Sequence, residues 1–137
     1  MTNLLGIGLA WLETQRVRHL TIPVTYRRPA TGGGGSGSGS AARELTVPAT
    51  VGSTTFEVVS AAGVLERIES RDYLIGAAAL AALGPPQRGD QVIEVTGGAR
   101  HTAEVLAPGR EPHWRWSDVN RTCYRIHTKH LLTETLP

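Results

Sequence analysis

A cysteine and two histidines near the C-terminus have side chains that can bind a transition metal. Cys123, His127 and His130 are spaced C-x3-H-x2-H, and thiolate and imidazole groups are common ligands of zinc. The surrounding residues alternate as in a strand, which would place Cys123 and His127 on one face but roughly 13 Å apart at the strand rise. Because the chain has only 1 cysteine, we expect a small buried thiol with surface histidines, no metal site and no cofactor.

Titratable residues and serines are scattered through the chain and could belong to a hydrolase. No serine lies in the G-x-S-x-G pattern that exposes a nucleophile on a sharp turn. We therefore predict no catalytic residue and no enzymatic activity, with a small hydrolase or metal-dependent enzyme as the alternative from another class. The residues weighed were His101, His113 and His127 with Asp72, Asp90 or Asp118, and Ser53, Ser60 or Ser117 as nucleophile.

A glycine- and serine-rich tract spans residues 31–40 and could be taken for a phosphate-binding loop. That loop needs the pattern GxxxxGK[ST], whereas this tract continues as Ser40-Ala41-Ala42-Arg43, without the lysine or a helix signal. Glycine-rich segments have little side-chain surface to bury and great backbone freedom. We predict a flexible loop over residues 31–41 within a hairpin.

Two tryptophans, Trp114 and Trp116, flank Arg115 in a segment rich in proline. Aromatic residues make up only 5% of the chain, so two in one segment are notable. Tryptophan and arginine contribute much of the binding energy of protein interfaces, but tryptophans can also cover a core. The sequence leaves both interpretations open.

Length and composition suggest one domain, residues 1–137, with a modest core. The chain has 137 residues, 40% of them hydrophobic, and a formal net charge of +2. That charge is too small to indicate tight nucleic-acid binding by itself. One cysteine excludes an intrachain disulfide, and the apolar run at residues 4–12 is too short to span a bilayer. We expect no membrane association.

Residues 3–19 are predicted to form an N-terminal helix with Asn3 as its cap. Leu5, Leu9 and Leu12 recur at roughly helical spacing, and Trp11 widens the apolar face. A helix this short is marginal on its own. It must therefore pack on its own domain or on a neighbouring subunit.

The rest of the chain indicates short strands joined by turns. Thr96-Gly97-Gly98 joins two apolar runs in the manner of a tight hairpin, and Pro23 suggests that its strand lies at an edge. A helical turn is expected at residues 76–83 and a loop at 107–118. The predicted fold is mainly β, a small β-barrel or sandwich with an N-terminal helix and a long flexible Gly/Ser loop. The predicted strands cover 20–28, 44–51, 56–60, 64–75, 91–95, 100–106 and 121–128.

The order of several short segments resembles the small head–tail joining proteins of tailed phages and prophages, also called head-completion or stopper proteins. The resemblance covers most of the chain apart from the Gly/Ser tract. The segments are Gly8-Leu9-Ala10-Trp11-Leu12, Val24-Thr25-Tyr26-Arg27-Arg28, Glu69-Ser70-Arg71-Asp72-Tyr73-Leu74-Ile75, the turn from Pro86 to Asp90, Glu104-Val105-Leu106-Ala107-Pro108-Gly109, Trp114, and Arg125-Ile126-His127-Thr128-Lys129.

The resemblance implies a structural, non-enzymatic protein of the virion neck, assembled in the host cytoplasm. It implies a β-barrel-like subunit in a ring, a hexamer or dodecamer, around the DNA channel between the portal side and the tail. The expected partners are other copies of the chain, a portal or adaptor protein, and a tail-tube or terminator protein. Packaged DNA would be contacted weakly and without sequence preference. The alternative within this class is a tail terminator or another neck or tail ring protein.

This function suggests two sets of candidate residues. Arginines that flank the Gly/Ser loop are candidates for contact with DNA in the channel, with a role as solvated hairpin ends equally open. Apolar residues of the helix and the tryptophan segment are candidates for subunit interfaces. The interface set is Leu5, Leu9, Trp11, Leu12, Trp114, Arg115 and Trp116, and the channel set is Arg27, Arg28 and Arg43.

Overall fold

The computed structural model describes residues 4–31, 39 and 41–137. In this part of the chain one helix is followed by seven strands. The helix is α1, Leu4–His19, and the strands are β1 Ile22–Arg28, β2 Arg43–Val59, β3 Leu65–Gly76, β4 Gln91–Thr96, β5 Ala99–Val105, β6 Trp114–Trp116 and β7 Cys123–Thr135.

The strands form one antiparallel sheet in the order β3-β2-β1-β4-β5-β7-β6, with a further pairing between β3 and β7. Because β7 pairs with both β5 and β3, the sheet returns to its first strand. Thr128 marks the change of partner, since it faces Val105 of β5 and Arg71 of β3. The prediction of a mainly β fold with an N-terminal helix is confirmed.

The buried core lies between the inward faces of these strands. Alternating side chains of β1 and β3 supply much of it, as expected where one face of a strand is buried. Its largest fully buried apolar and aromatic side chains are Tyr26, Tyr73, Ile75, Leu80, Ile126, Val24, Val92 and Val105.

The predicted hairpin at residues 96–98 is present and joins β4 to β5. Thr96 faces Ala99 across the pair, which leaves Gly97 and Gly98 as the two turn residues. Their φ angles are 60° and 75°, the left-handed values that a two-residue turn of this kind requires. Glycine is the residue that adopts them without strain.

A second hairpin joins β1 to β2, with Arg28 facing Arg43 at the end next to the connecting loop. The predicted loop at 31–41 lies in this connection. Residues 32–38 and 40 lie outside the described residues, as does the predicted helix cap, Asn3.

Three local predictions are wrong. Pro23 does not mark an edge strand, because β1 lies between β2 and β4; β4 pairs only with Thr25–Arg27, so Pro23 faces no β4 residue. The two strands predicted at 44–51 and 56–60 are one strand, β2. The segment 107–118 contains a short strand, β6, which pairs with β7.

Helix α1 is tied to the sheet by one arginine near its C-terminal end. Arg16 Nη1 donates to Thr50 Oγ1 at 2.6 Å and to the Leu74 carbonyl at 3.2 Å. Glu13 lies 2.6 Å from Arg16 Nη2 and orients the guanidinium. The polar end of the helix is therefore the docked end.

Candidate functional site

The apolar side chains of α1 are largely uncovered. Leu5 is 70% exposed, Trp11 61% and Leu12 57%, while Leu9 is half-buried. Large apolar side chains gain about 1.5 to 3 kcal/mol each when fully buried. Four side chains predicted as interface residues thus lie on one helix that retains substantial uncovered apolar surface.

The two tryptophans of β6 pack against Tyr124 of β7. Trp116 stacks on the Tyr124 ring at 4.8 Å with an interplanar angle of 20°. The Trp114 ring is nearly perpendicular to both of these rings, with its centroid 4.9 Å from that of Tyr124 and 5.2 Å from that of Trp116. Both tryptophans are half-buried against the core, and Arg115 between them is exposed. The cluster covers part of the core and also presents aromatic surface.

The three arginines proposed to approach DNA differ in how they are held. Arg43 is exposed, with Nη1 at 3.3 Å from the Ala82 carbonyl. The Arg27 side chain is 41% exposed and its Nε lies 3.8 Å from Glu44. Arg28 is mostly enclosed, with its Nε at 3.1 Å and its Nη2 at 3.0 Å from the two carboxylate oxygens of Asp90.

The carboxylate of Asp90 is a buried hub that fixes the turn before β4. Tyr26 donates to it at 2.5 Å and the backbone amide of Gln87 at 2.9 Å. Burial raises the pKa of Tyr26 well above its ordinary value, and the hydrogen bond to Asp90 adds to the effect. Arg28 therefore has a structural role, because it pairs with a carboxylate that is only 2% exposed.

A second buried carboxylate, Asp72, accepts four side-chain hydrogen bonds. Its donors are Arg125 Nε at 2.6 Å, Ser70 Oγ at 2.6 Å, His127 Nδ1 at 2.7 Å and the Thr54 hydroxyl. Burial alone would raise the pKa of Asp72, but these hydrogen bonds outweigh burial and hold the pKa well below its usual range.

The cluster at Asp72 contains the residue types of a serine hydrolase but not their geometry. A catalytic histidine holds the acid on one ring nitrogen and the serine on the other. Here Ser70 Oγ and Asp72 both approach His127 Nδ1, at 3.4 Å and 2.7 Å, and the serine donates to the aspartate. The arrangement stabilises a buried carboxylate and leaves Ser70 without the base that would activate it.

Arg71, Tyr73 and Glu94 form a third network on the same sheet. The Arg71 guanidinium donates to both Glu94 oxygens, with Nη2 at 2.6 and 2.7 Å, and Tyr73 donates to Glu94 at 2.8 Å. Burial raises the pKa of Tyr73 to about 12, with the hydrogen bond to Glu94 adding to it. The Tyr73 hydroxyl therefore keeps its proton at neutral pH and donates it to the hydrogen bond with Glu94.

The residues weighed as metal ligands do not converge. Cys123 is buried at the start of β7, where burial raises its pKa to about 11, and His127 is bound to Asp72. His130 is exposed and contacts Thr133 at 2.7 Å. Among the described residues, no group of three His, Cys, Asp or Glu side chains is placed to hold a metal ion.

Sequence reasoning missed the three buried ion-pair networks as units. Their members are far apart in the chain, as with Arg28 and Asp90 or Arg125 and Asp72, and no local pattern pairs them. The available signal was that charged residues lie within predicted strands next to core residues, as Asp72 does beside Tyr73.

The described part of the chain has no helix with the length and apolar character needed to cross a membrane.

A search of curated proteins finds no match. Comparison with protein-family models gives a match to "Phage head-tail joining protein" over residues 2–135. The match agrees with the resemblance seen in the order of sequence segments and spans almost all of the 137 residues. The chain therefore belongs to the phage head-tail joining protein family.

Proposed function

We propose that this head-tail joining protein is a neck connector or stopper subunit that assembles into a ring around the DNA channel, between the portal side and the tail. The observation that carries the proposal is the family match over residues 2–135. Its role is structural and no residue is assigned to catalysis. The ring would be a hexamer or a dodecamer that contacts a portal or adaptor protein on one side and a tail-tube or terminator protein on the other.

The uncovered apolar surface of α1 supports assembly. Leu5, Trp11 and Leu12 remain exposed, although apolar side chains in contact with water are costly and contiguous apolar patches commonly mark interfaces. In a ring these side chains, with Leu9, would be buried between subunits. The aromatic surface of Trp114 and Trp116, with Arg115, supplies a second candidate contact, either between subunits or with the ring above or below.

Channel contacts are assigned to the arginines that flank the loop of the β1–β2 hairpin. Arg27 and Arg43 carry most of this proposal, because both have exposed side-chain surface. Arg28 faces Arg43 in the hairpin, but its contacts with Asp90 give it a structural role first. Contact with packaged DNA would be through phosphates and without sequence preference.

The experiment is to measure the mass and shape of the purified protein. Mass photometry over a range of concentrations, followed by electron microscopy of the largest species, should give closed rings of six or twelve subunits. A protein that stays monomeric at the highest concentrations, with or without its portal-side and tail partners, would contradict the ring. In phage lacking this protein we expect filled heads that do not join tails.

A tail terminator or another neck or tail ring protein is the alternative within the class. The same ring assay does not separate it from a stopper, but binding does. A stopper should bind portal-side complexes in the absence of tails, whereas a terminator should bind purified tails in the absence of heads.

A further inference from the structure

A long two-stranded ribbon extends from the sheet beyond the strands that flank it. β2 and β3 pair from Ala49 and Ile75 to Val59 and Leu65. β1 pairs only with residues 43–49 of β2, and β7 only with residues 71–76 of β3. Within the described residues, the outer edges of 50–59 and 65–70 therefore have no strand partner. We call these two segments and the turn 60–64 the ribbon.

The tip of the ribbon is apolar and exposed. Val59 is 70% exposed, Val64 58% and Leu65 63%. Further back, the chain around Gly109 covers the ribbon, since a Cβ built on Gly109 would lie 2.3 Å from Val58 Cγ1. The three exposed residues at the end, which we call the tip patch, are not covered in this way.

Acidic side chains lie along the ribbon behind the tip patch. Residues 53–70 contain Glu57, Glu66 and Glu69 and one basic residue, Arg67, a formal charge of −2. Arg67 lies 3.7 Å from Glu57 and offsets part of that charge. On the face that carries Val59 and Leu65, the acidic residues are Glu57, which Arg67 offsets, and Glu69, because directly paired residues share a face and successive residues alternate. The surface that this ribbon offers is thus an apolar tip with the carboxylate of Glu69 further back on the same face.

Helix α1 has the complementary character. It carries the exposed apolar residues Leu5, Trp11 and Leu12, and its last turn contains Arg16, Arg18 and His19. Arg16 is used to hold the helix on its own sheet. Arg18 is exposed and lies two turns after Trp11 on the same side of the helix, so this side carries a positive charge next to its exposed apolar surface.

The two surfaces lie apart on one chain. α1 is attached where Thr50 faces Leu74, and the tip is nine residues further along the ribbon, about 30 Å at the strand rise. Both surfaces are exposed in the same chain, so neither covers the other. A contact between different patches of two identical subunits repeats head to tail, and it forms a ring when the rotation closes.

We propose that the exposed apolar side chains of α1 around Trp11 in one copy of the chain pack on the tip patch of the next copy, with Arg18 next to Glu69. This contact would be the interface that propagates the ring, so the inference rests on the proposed function. The partner is a second copy of this chain, because the chain itself supplies both complementary surfaces.

The test uses one variant in each surface and a matched control. The α1 variant is Trp11→Glu with Leu12→Glu, and the tip variant is Val59→Lys with Leu65→Lys. The control is Val119→Lys, which changes an apolar residue that is 84% exposed and outside both surfaces. Since all changed residues are exposed, thermal unfolding of the three variants should match that of the parent protein.

We expect both variants to fail to form rings at concentrations at least about tenfold above those at which the parent and control assemble, since central apolar interface residues contribute that much to affinity. Mixing the two variants in equal amounts should give dimers and no rings. In such a mixture one intact helix still meets one intact tip, and the chain of contacts ends there.

Two results would separate this inference from the ring itself. If the tip variant assembles like the parent protein, α1 has another partner and the inference is wrong while the ring stands. If the parent protein never forms rings with any of its neck partners, the proposed function fails and this interface with it.

A charge exchange tests the border of the contact. Arg18→Glu and Glu69→Arg should each weaken assembly, and the chain that carries both should recover most of it. A double variant that assembles no better than either single variant overturns the pairing of these two surfaces. Comparison at low and high salt should show a smaller effect of each single change at high salt, because exposed charges are screened.

Discussion

At the scale of residues, the sheet is organised around buried carboxylates rather than around a reactive group. Asp72, Asp90 and Glu94 are each bound by an arginine and by at least one hydroxyl donor. Removing one partner of a buried pair leaves the other charge without compensation, which commonly costs about 3 to 5 kcal/mol. Each of these carboxylates is held by side chains of another strand, so removal of its partners should destabilise the fold.

Stability should fall in acid because the carboxylate pKa values are lowered on folding. The pKa of Asp72 lies well below its usual range and that of Glu94 is also lowered, in both cases because hydrogen bonds outweigh the effect of burial. A group with a lowered pKa in the folded state stabilises the fold above its unfolded pKa, and this contribution is lost as pH falls toward the folded value. We expect the loss to begin near pH 4.

Asp72→Asn tests this assignment. At pH 7 the variant should lose about 3 kcal/mol of unfolding free energy in urea, since Arg125 and His127 lose their charged partner. At pH 3 the difference from the parent protein should be clearly smaller. Glu111→Gln, at an exposed position, is the control and should follow the parent at both pH values. A difference that does not change with pH would show that Asp72 contributes through packing alone.

At the scale of elements, local patterns were enough for the helix and the tight hairpin. Gly97 and Gly98 allow a tight turn because glycine readily adopts the positive φ angles found there. Two adjacent glycines between strand patterns are therefore a local signal for this turn. The extent of β2 was not predictable in the same way, because Gly52 and Ser53 suggest a break that pairing with β3 overrides. Likewise β6 exists because β7 lies beside it, and such a partner cannot be read from the proline-rich segment itself.

The sequence was enough to predict which residues of the candidate interface are apolar or aromatic, but not which residues surround them in the fold. The apolar spacing of Leu5, Leu9 and Leu12 pointed to a helix that must be buried somewhere, and the structure leaves much of that surface exposed. The packing of Trp114 and Trp116 on Tyr124 could not be foreseen, because Tyr124 is brought to them by strand pairing.

The Gly/Ser loop at residues 32–39 should be dispensable for folding. The β1–β2 hairpin is paired up to Arg28 and Arg43, and halving a flexible loop changes its closure entropy by only about 0.6 kcal/mol. Replacing the loop with a turn of two to four residues should leave the melting temperature nearly unchanged in a thermal scan. A large loss would show that the loop is packed, and a loop of the original length with the same glycines and serines in a different order serves as the control.

Trp114→Ala and Trp116→Ala should weaken assembly by more than they weaken the isolated fold. Interface aromatics can contribute about 2 kcal/mol or more to binding, and both tryptophans have exposed surface besides their contact with Tyr124. Ring formation and urea unfolding of the monomer would be measured in parallel, with Val119→Ala as a control. If both changes simply unfold the monomer, the tryptophans are only a cover for the core.

At the scale of the whole molecule, two exposed apolar surfaces that would not stabilise a monomer could be buried in an assembly. An exposed apolar helix and a long ribbon with an apolar tip both leave water-exposed surface that a neighbouring subunit would cover. Burial between subunits adds to the stability that a small core provides.

The proposed contact with DNA would also depend on the assembly. A formal net charge of +2 gives one subunit too few phosphate contacts for tight binding. In the proposed ring, Arg27 and Arg43 of every subunit would face the same duplex, so that weak contacts would add up through their effective concentration. Affinity that comes from phosphate contacts falls steeply as salt rises, because bound counterions are released.

We therefore expect no sequence-selective DNA binding by the isolated subunit, and weak, salt-sensitive binding by the ring. Filter binding at low and moderate salt, with two duplexes of unrelated sequence, would measure both. Arg27→Ala with Arg43→Ala should reduce the ring's affinity for both duplexes equally and lower its salt dependence, whereas Arg110→Ala, at an exposed position elsewhere, should change neither. Sequence-selective and salt-resistant binding by the monomer would contradict a passive channel, since it would require contacts to base edges rather than to phosphates.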